Sequence, residues 1–377
     1  MNRKICIIVN GYPTKDDPVY AFIQPIVWEM ADNGIECTVI APQSISKAVV
    51  TNKVKRPYRW VDQTDKGNKV IIYQPEYISV SNLSIFGYRI STILRDISIN
   101  RCFYKEKIAP DLIYAHFWDC AIVACKLATT SNLSVFVATG ESKIRVKNYY
   151  NHKYIDKYLS RIKGVIAVST KNLEESHSLG LLKFNPKTIV LPNAVNPNEF
   201  YPIPKKKARK ILGINADAKL VIFVGSFCNR KGVLRVVEAV EKIENVQLIL
   251  IGSGEQIPKS NRILFSGKVP HNEIVLYLNA ADIFVLPTLA EGCCNALVEA
   301  LACGVPIISS DLPFNYDILN SSNSIMINPE RIDLISQAIS TLFANDEKLK
   351  SLSVGARNTG IKLSIQHRCD EILRMME

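Results

Sequence analysis

The sequence predicts an α/β fold organised as two βαβ arrays of similar length. Short Val/Ile-rich runs alternate with helix-period segments from end to end, the pattern of parallel sheets covered by helices. A stretch dense in Pro and Asn, 192-PNAVNPNEFYPIPKKK-207, separates the arrays and can propagate neither a helix nor a sheet ladder. Apolar runs such as Ile5–Val9 and Leu248–Ile251 are strand-length and far below the roughly 20 residues of a membrane span.

The opening MNRKICIIVNGYP puts basic residues before an apolar run too short for the roughly 7–15 residues of a signal-peptide core, so it reads as a first strand. Asp17-Pro18, a capping residue and a first-turn proline, opens the next helix, and Asn33-Gly34 closes it. Strands follow at ECTVIAP, KVIIYQP, DLIYAH, SVFVAT, GVIAVS and KTIVLP. Residues 85–110 mix Ile, Phe and Tyr with Arg and Lys at helical period, read as a core-facing helix in preference to a membrane-surface one. The second array has strands KLVIFVG, VQLILIG, RILFSG, DIFVLP and VPIIS. From about Ser364 a helical period returns, with Ile365, Cys369, Ile372 and Leu373 on one face.

The 377 residues are 47% hydrophobic, enough to bury real cores, and suggest two or three domains. Ten cysteines lie singly apart from Cys293-Cys294, without Cys-x-x-Cys or a histidine cluster, which fits reduced thiols in the cytosol and neither a disulfide framework nor a zinc site. Net charge is +11, and the first 200 residues, with 26 Lys/Arg against 17 Asp/Glu, carry +9 of it. Basic residues cluster at Lys53, Lys55, Arg56 and Arg59, and from Lys143 through Arg145, Lys147, Lys153 and Lys157 to Arg161 and Lys163. Solvated helix faces explain such charges as well as an anionic partner does. Nucleic acid is disfavoured, because no helix-turn-helix, zinc-finger or RNA-recognition signature is present.

The densest chemistry is in 290-AEGCCNALVEALACGVP-306. Glu291 follows a strand's carboxyl end, where open α/β sheets bind ligands. Asn295 is the expected cap of the next helix, Gly304 with Pro306 its end, and Glu299 lies a turn inside it. The amides of Cys293, Cys294, Asn295, Ala296 and Leu297 are the orphan donors of that helix start, suited to a phosphate. Carboxylates repel a diphosphate, so Glu291 and Glu299 suit neutral hydroxyls at either end of one. The rival reading is a loop residue and a helix-start residue stabilised by the dipole. In 225-GSFCNRKG-232, Arg230 and Lys231 stand at another strand end, where cations can neutralise a diphosphate leaving group. The Gly-x-Gly of 251-IGSGEQ-256 is weak evidence alone. In the first array Gly11 offers a close backbone approach or only a turn, and His116, at the end of a buried strand, is equally a structural histidine.

Together these segments resemble the family 4 retaining glycosyltransferases, above all 282-DIFVLPTLAEGCCNALVEALACGVPIISSDLP-313 with its Glu-x7-Glu spacing and Ala-x-Gly-x-Pro end, supported by 167-AVST-170 and 191-LPNAVN-196. The resemblance implies the GT-B fold, two Rossmann-like domains with parallel sheets facing across a cleft. Residues 1–190 would bind the acceptor, joined by the terminal helix 364–377; 191–204 would be the linker, and 205–363 the nucleotide-sugar domain. It implies that Glu291 holds the donor sugar's hydroxyls and Glu299 the ribose. Arg230 and Lys231 would bind the diphosphate with the amides from Gly292 onward. The backbone of Lys268 and Val269 would meet the base, and Gly11 and His116 would approach from the first domain. Two departures stand out: Ser226 where the family often has Arg, and Thr139 where many members have His.

The expected reaction is transfer of a sugar from a nucleotide diphosphate sugar, with a UDP-sugar favoured, to an acceptor hydroxyl with retained configuration. The donor is a substrate, and no cofactor is expected. Without an Asp-x-Asp motif, neutralisation falls to Arg230, Lys231 and the helix dipole and no metal is expected. Family habit and charge suggest a glycan or polyprenyl-diphosphate-linked acceptor in surface-polysaccharide assembly, at an anionic membrane surface, placing the protein in the cytoplasm or peripherally on the inner face of the cell membrane. Three alternatives stay open: a GT-B sugar-nucleotide epimerase, a non-catalytic nucleotide-sugar-binding subunit and a nicotinamide oxidoreductase. The last is disfavoured because NGYPTKDD lacks Gly-x-Gly-x-x-Gly.

Overall fold

The computed structural model describes residues 3–14, 17, 20–50, 54–80 and 83–377; Pro18 and Lys53, singled out above, lie outside them. The chain divides into two compact units, Met1–Leu191 with Cys369–Glu377, and Pro192–Arg368. The segment expected to be a free linker therefore belongs from Pro192 onward to the second unit. Phe200 is buried there beside His271, and the Ile203 amide donates to Asn279 Oδ1 at 2.7 Å.

Unit 1 contains β1 (Lys4–Ile8), β2 (Glu36–Ile40), β3 (Gln43–Ser44), β4 (Arg59–Gln63), β5 (Lys69–Tyr73) and β6 (Glu76–Tyr77). It continues with β7 (Ser84–Ile85), β8 (Tyr88–Arg89), β9 (Leu112–His116), β10 (Ser134–Thr139), β11 (Ile162–Ala167) and β12 (Lys187–Val190). The main sheet runs β12-β11-β10-β9-β1-β2-β5-β4 and is parallel except for β4, which pairs antiparallel with β5. Every residue of β9 is buried, which is why it reads as an apolar run up to His116. The strand order reverses between β1 and β9, with Ile8 opposite Ala115, so Asn10-Gly11 and His116-Phe117 leave the sheet side by side at its carboxyl edge.

The first helix starts later than expected, at Ile23, with Phe22 as an N-cap that makes no side-chain bond. Asp17 instead bridges to Thr14 and holds Arg56 at 2.8 Å, and Tyr20 has φ +61°, which no helix accommodates. Residues 85–110 form a helix only over Ile90–Lys105, and the face it buries is largely polar, including Arg95, Asp96 and Ser98. The terminal helix, Ile365–Met376, buries Ile365, Cys369 and Ile372, with Met376 continuing the stripe where Leu373 is only half-buried.

Unit 2 is a six-stranded parallel sheet of β13 (Lys219–Val224), β14 (Val246–Ile251), β15 (Ile263–Gly267), β16 (Ile283–Leu286), β17 (Ile307–Ser310) and β18 (Ser324–Ile327). Its order is β15-β14-β13-β16-β17-β18, so the direction of winding reverses between β13 and β16. The carboxyl ends of those two strands open the crevice where such sheets bind ligands.

Candidate active site

The two loops at this reversal carry Arg230, Lys231 and Glu291. The Leu289 amide donates to the Arg230 carbonyl at 2.8 Å, tying the loop after β16 to the loop after β13. Arg230 Nη1 donates to the Ala290 carbonyl and to Glu291 Oε1, both at 2.7 Å. Lys231 Nζ reaches the same Oε1 at 2.6 Å, and Thr288 Oγ1 donates to it at 2.8 Å. One oxygen of Glu291 thus gathers three donors, and no such contact falls on Oε2 among the described residues. Lys231 is only 9% exposed, and its Nζ also lies 3.6 Å from Cys294 Sγ. Burial alone would lower the ammonium's pKa; Cys294 and Glu291 outweigh it and hold the group above its ordinary value. The carboxylate explains how cations tolerate a helix start, where the dipole disfavours them.

The helix after Glu291 spans Asn295–Ala302, and its N-cap is Cys294 rather than Asn295. Asn295 Oδ1 instead accepts from Asn193 Nδ2 at 2.7 Å, and the same nitrogen donates to the Cys293 carbonyl at 3.0 Å, which fixes the loop. The Leu297 amide, expected to be free, donates to the Cys294 carbonyl at 3.1 Å. Gly304 ends the helix at φ +73°. Glu299 is buried, and its Oε1 lies 3.1 Å from His271 Nε2. The hydrogen bond to Glu299 is the main reason His271 is raised above the usual histidine pKa, and burial works against it. His271 lies three residues beyond Lys268 in the loop after β15, so the segment expected at the base and the carboxylate expected at the ribose are joined by a side chain that sequence reasoning passed over. The histidine of 265-FSGKVPHNE-273 was its only signal.

The Gly-x-Gly turn has a packing cause. A Cβ on Gly252 would lie 1.9 Å from the Gly225 carbonyl oxygen, and one on Gly254 2.2 Å from that of Phe227. The loops after β13 and β14 therefore touch backbone to backbone, and the Phe227 amide donates to the Ser253 carbonyl at 2.9 Å. Ser226 is exposed beside this contact.

In unit 1, Gly11 lines a cavity of about 490 Å³, but the ring of Tyr20 stands close over it: a Cβ there would lie 2.8 Å from Tyr20 Cδ2. Asn10, Arg95 and Asp119 form one polar wall of this cavity. Arg95 Nη1 donates to Asn10 Oδ1 at 2.8 Å and to Asp119 Oδ2 at 2.5 Å. Sequence reasoning missed this network, whose members are spread over more than 100 residues. His116 is buried among aromatic rings, 5.0 Å from that of Tyr114 and 6.4 Å from those of Phe22 and Phe117. Thr139 donates its hydroxyl to Glu141 Oε2 at 2.7 Å, while Glu141 Oε1 accepts the Trp118 amide at 2.9 Å and so caps the helix Trp118–Ser131. Burial pushes the Glu141 carboxyl up, and these donors oppose it.

Among the described residues no three His, Cys, Asp or Glu side chains are grouped to hold a metal ion, and no helix is long and apolar enough to cross a membrane.

Residues 204–359 match the family described as Glycosyl transferases group 1. The protein named "Putative teichuronic acid biosynthesis glycosyltransferase TuaC" of Bacillus subtilis (strain 168) is 27% identical, over 89% of this chain and 88% of its own length. The N,N'-diacetylbacillosaminyl-diphospho-undecaprenol alpha-1,3-N-acetylgalactosaminyltransferase of Campylobacter jejuni is 26% identical, over 88% of each chain. The solved structure of Anabaena HepE in complex with UDP-glucose superposes with a TM-score of 0.68 at 15% identity, covering 100% of this chain and 99% of its own.

Proposed function

We infer, from the premise that this chain is a glycosyltransferase of GT-B fold whose second unit is a group 1 glycosyl transferase domain, that it moves a sugar from a nucleotide diphosphate sugar to an acceptor hydroxyl with retention of configuration. The relatives support transfer, and neither an epimerase nor a non-catalytic subunit.

One observation carries the reading: Arg230 and Lys231 converge on Glu291 at the reversal point of the unit 2 sheet. As the bond from the sugar's anomeric carbon to the diphosphate breaks, negative charge grows on the departing phosphate oxygen. The buried Lys231 ammonium and the Arg230 guanidinium stabilise it, with no reorganisation needed at that moment. Glu291 holds the cations through Oε1 and accepts a sugar hydroxyl through Oε2. Glu299 accepts the ribose hydroxyls, taking them in exchange for its bond to His271, and the backbone of Lys268 and Val269 meets the base. The amides of Cys293 to Ala296 face the phosphates. No side chain of this group acts as a nucleophile; the departing phosphate takes the acceptor proton on the same face of the sugar. A UDP-sugar is the preferred donor, in keeping with the UDP-glucose held by HepE.

The acceptor binds in unit 1, with Gly11 and His116 on that side of the reaction. The cavity there is lined by Lys47, Arg56, Arg89 and Arg95 against Asp17 and Asp119, a cationic excess that suits a diphosphate. Together with the diphospho-undecaprenol in the Campylobacter relative's name, this supports a lipid-linked acceptor in surface-polysaccharide synthesis, met from the cytoplasmic side by a peripherally bound enzyme. A thermal-shift series with UDP-, GDP- and ADP-sugars tests the donor reading. Stabilisation by one base alone is expected, and no response to any sugar nucleotide would count against the site.

A further inference from the structure

Beside the cationic cavity, unit 1 presents apolar side chains to solvent in a way its own stability does not explain. Strands β7 and β8 form a hairpin whose two turn residues, Phe86 and Gly87, have φ of +50° and +78°. Such turns favour Asn-Gly, and a bulky residue at the first position strains the backbone by about 1–2 kcal/mol. Phe86 recovers none of this by packing, because it is 90% exposed. Leu83 and Ile85 beside it are about half exposed. The helix Ile45–Val50 buries no residue, and Val49, Val50 and Val54 are each more than four-fifths exposed.

These elements form one surface. Ser46 Oγ donates to the Ser79 carbonyl and accepts its amide, both at 2.8 Å. The Val80 amide reaches Ser91 Oγ at 3.0 Å, and the Ile90 amide the Leu83 carbonyl at 3.0 Å. Val54 also lines the cavity, so the cavity borders the apolar patch. The Arg89 amide donates to the Tyr149 carbonyl at 3.1 Å, which places the hairpin against the basic run. That run, 143–157, carries Lys143, Arg145, Lys147, Lys153 and Lys157 against the single acid Asp156.

We propose that this surface rests in the headgroup layer of an anionic bilayer, with Phe86 as its inserted tip, the helix Ile45–Val50 lying alongside, and the 143–157 cations on lipid phosphates. Protruding apolar tips ringed by lysines suit a lipid interface, whereas the cores of protein–protein interfaces are depleted in lysine. The proposal rests on the lipid-linked acceptor inferred above and adds where the membrane meets the chain: a carrier lipid enters the cavity from the side on which the enzyme already lies.

The test is co-sedimentation of the full chain with phosphatidylcholine vesicles, with and without about one-third phosphatidylglycerol, at low and high salt. Wild type is expected to bind only the anionic vesicles, and less at high salt. The double variant F86S/V50S should bind about tenfold less, and K153Q/K157Q should flatten the salt dependence. Transfer to a short-chain, water-soluble acceptor should be unchanged in F86S/V50S. Failure of wild type to bind anionic vesicles, or equal binding by F86S/V50S, overturns the proposal. Self-association of wild type that F86S/V50S abolishes, without vesicle binding, overturns it too. Vesicle binding lost in F86S/V50S without transfer by any form would leave this surface standing and remove the proposed reaction instead.

Discussion

Replacing Lys231 with methionine keeps the buried stem and deletes the charge that sits 2.6 Å from Glu291 Oε1. Removing one member of a buried ion pair costs about 3–5 kcal/mol when the partner is stranded. Glu291 is not stranded here, because Arg230 and Thr288 remain on the same oxygen, so the stability loss should stay near 2 kcal/mol or below. Loss of one preorganised donor to a developing anion lowers turnover by about 10²–10³-fold, and that is the expectation for K231M. Arg230 is 42% exposed and partly screened by water, so R230M should cost about tenfold or less. Steady-state transfer or donor hydrolysis, measured beside a thermal melt, separates the two effects. A folded K231M that turns over within about threefold of wild type would remove Lys231 from the chemistry.

Changing Glu299 to Ala should raise the donor dissociation constant and lower the melt only by what its pair with His271 contributes; unaltered donor affinity by calorimetry would exclude its ribose role. The hydrogen bond to Glu299 favours the protonated form of His271, so its folded pKa stands above the unfolded value of about 6.5. The stabilisation from this pair is complete below that value and fades as pH rises through the folded pKa; melts from acid to alkaline pH should show the decline in wild type and not in H271A. Gly252→Ala should destabilise unit 2 by about 3 kcal/mol or more, since its Cβ would meet a carbonyl oxygen at 1.9 Å. Gly213→Ala, with nothing within 4 Å at φ +66°, should cost only about 1–2 kcal/mol in chemical denaturation. Chelation by EDTA should leave transfer intact, and a strict requirement for Mg²⁺ or Mn²⁺ would contradict neutralisation by Arg230 and Lys231.

The central strands were legible because a parallel strand covered on both faces must be largely apolar, as β16 is throughout and β9 is up to His116. β4 and β18 escaped notice: the one alternates at a sheet edge as Arg-Trp-Val-Asp-Gln, and the other is only four residues long, with its two ends buried and its middle half-buried. Local capping rules misplaced two helix starts, because Asp17 and Asn295 give their side chains to distant partners, Arg56 and Asn193. Glu291, Arg230 and Lys231 could be read as a group because each follows a strand that the same topology aligns. No periodic signal announces His271 against Glu299, or Arg95 against Asn10 and Asp119, since those contacts exist only after the chain has folded.

The backbone contact between the loops after β13 and β14 bears on how this enzyme can diversify. Two peptide chains pressed together through glycines form a welded joint, and neither side can accept an insertion or a larger residue alone. The shelf that presents Arg230 and Lys231 is thereby frozen against drift. New donor preferences would have to arise away from that joint, above all in the loop after β15, while the placement of Arg230 and Lys231 is inherited unchanged.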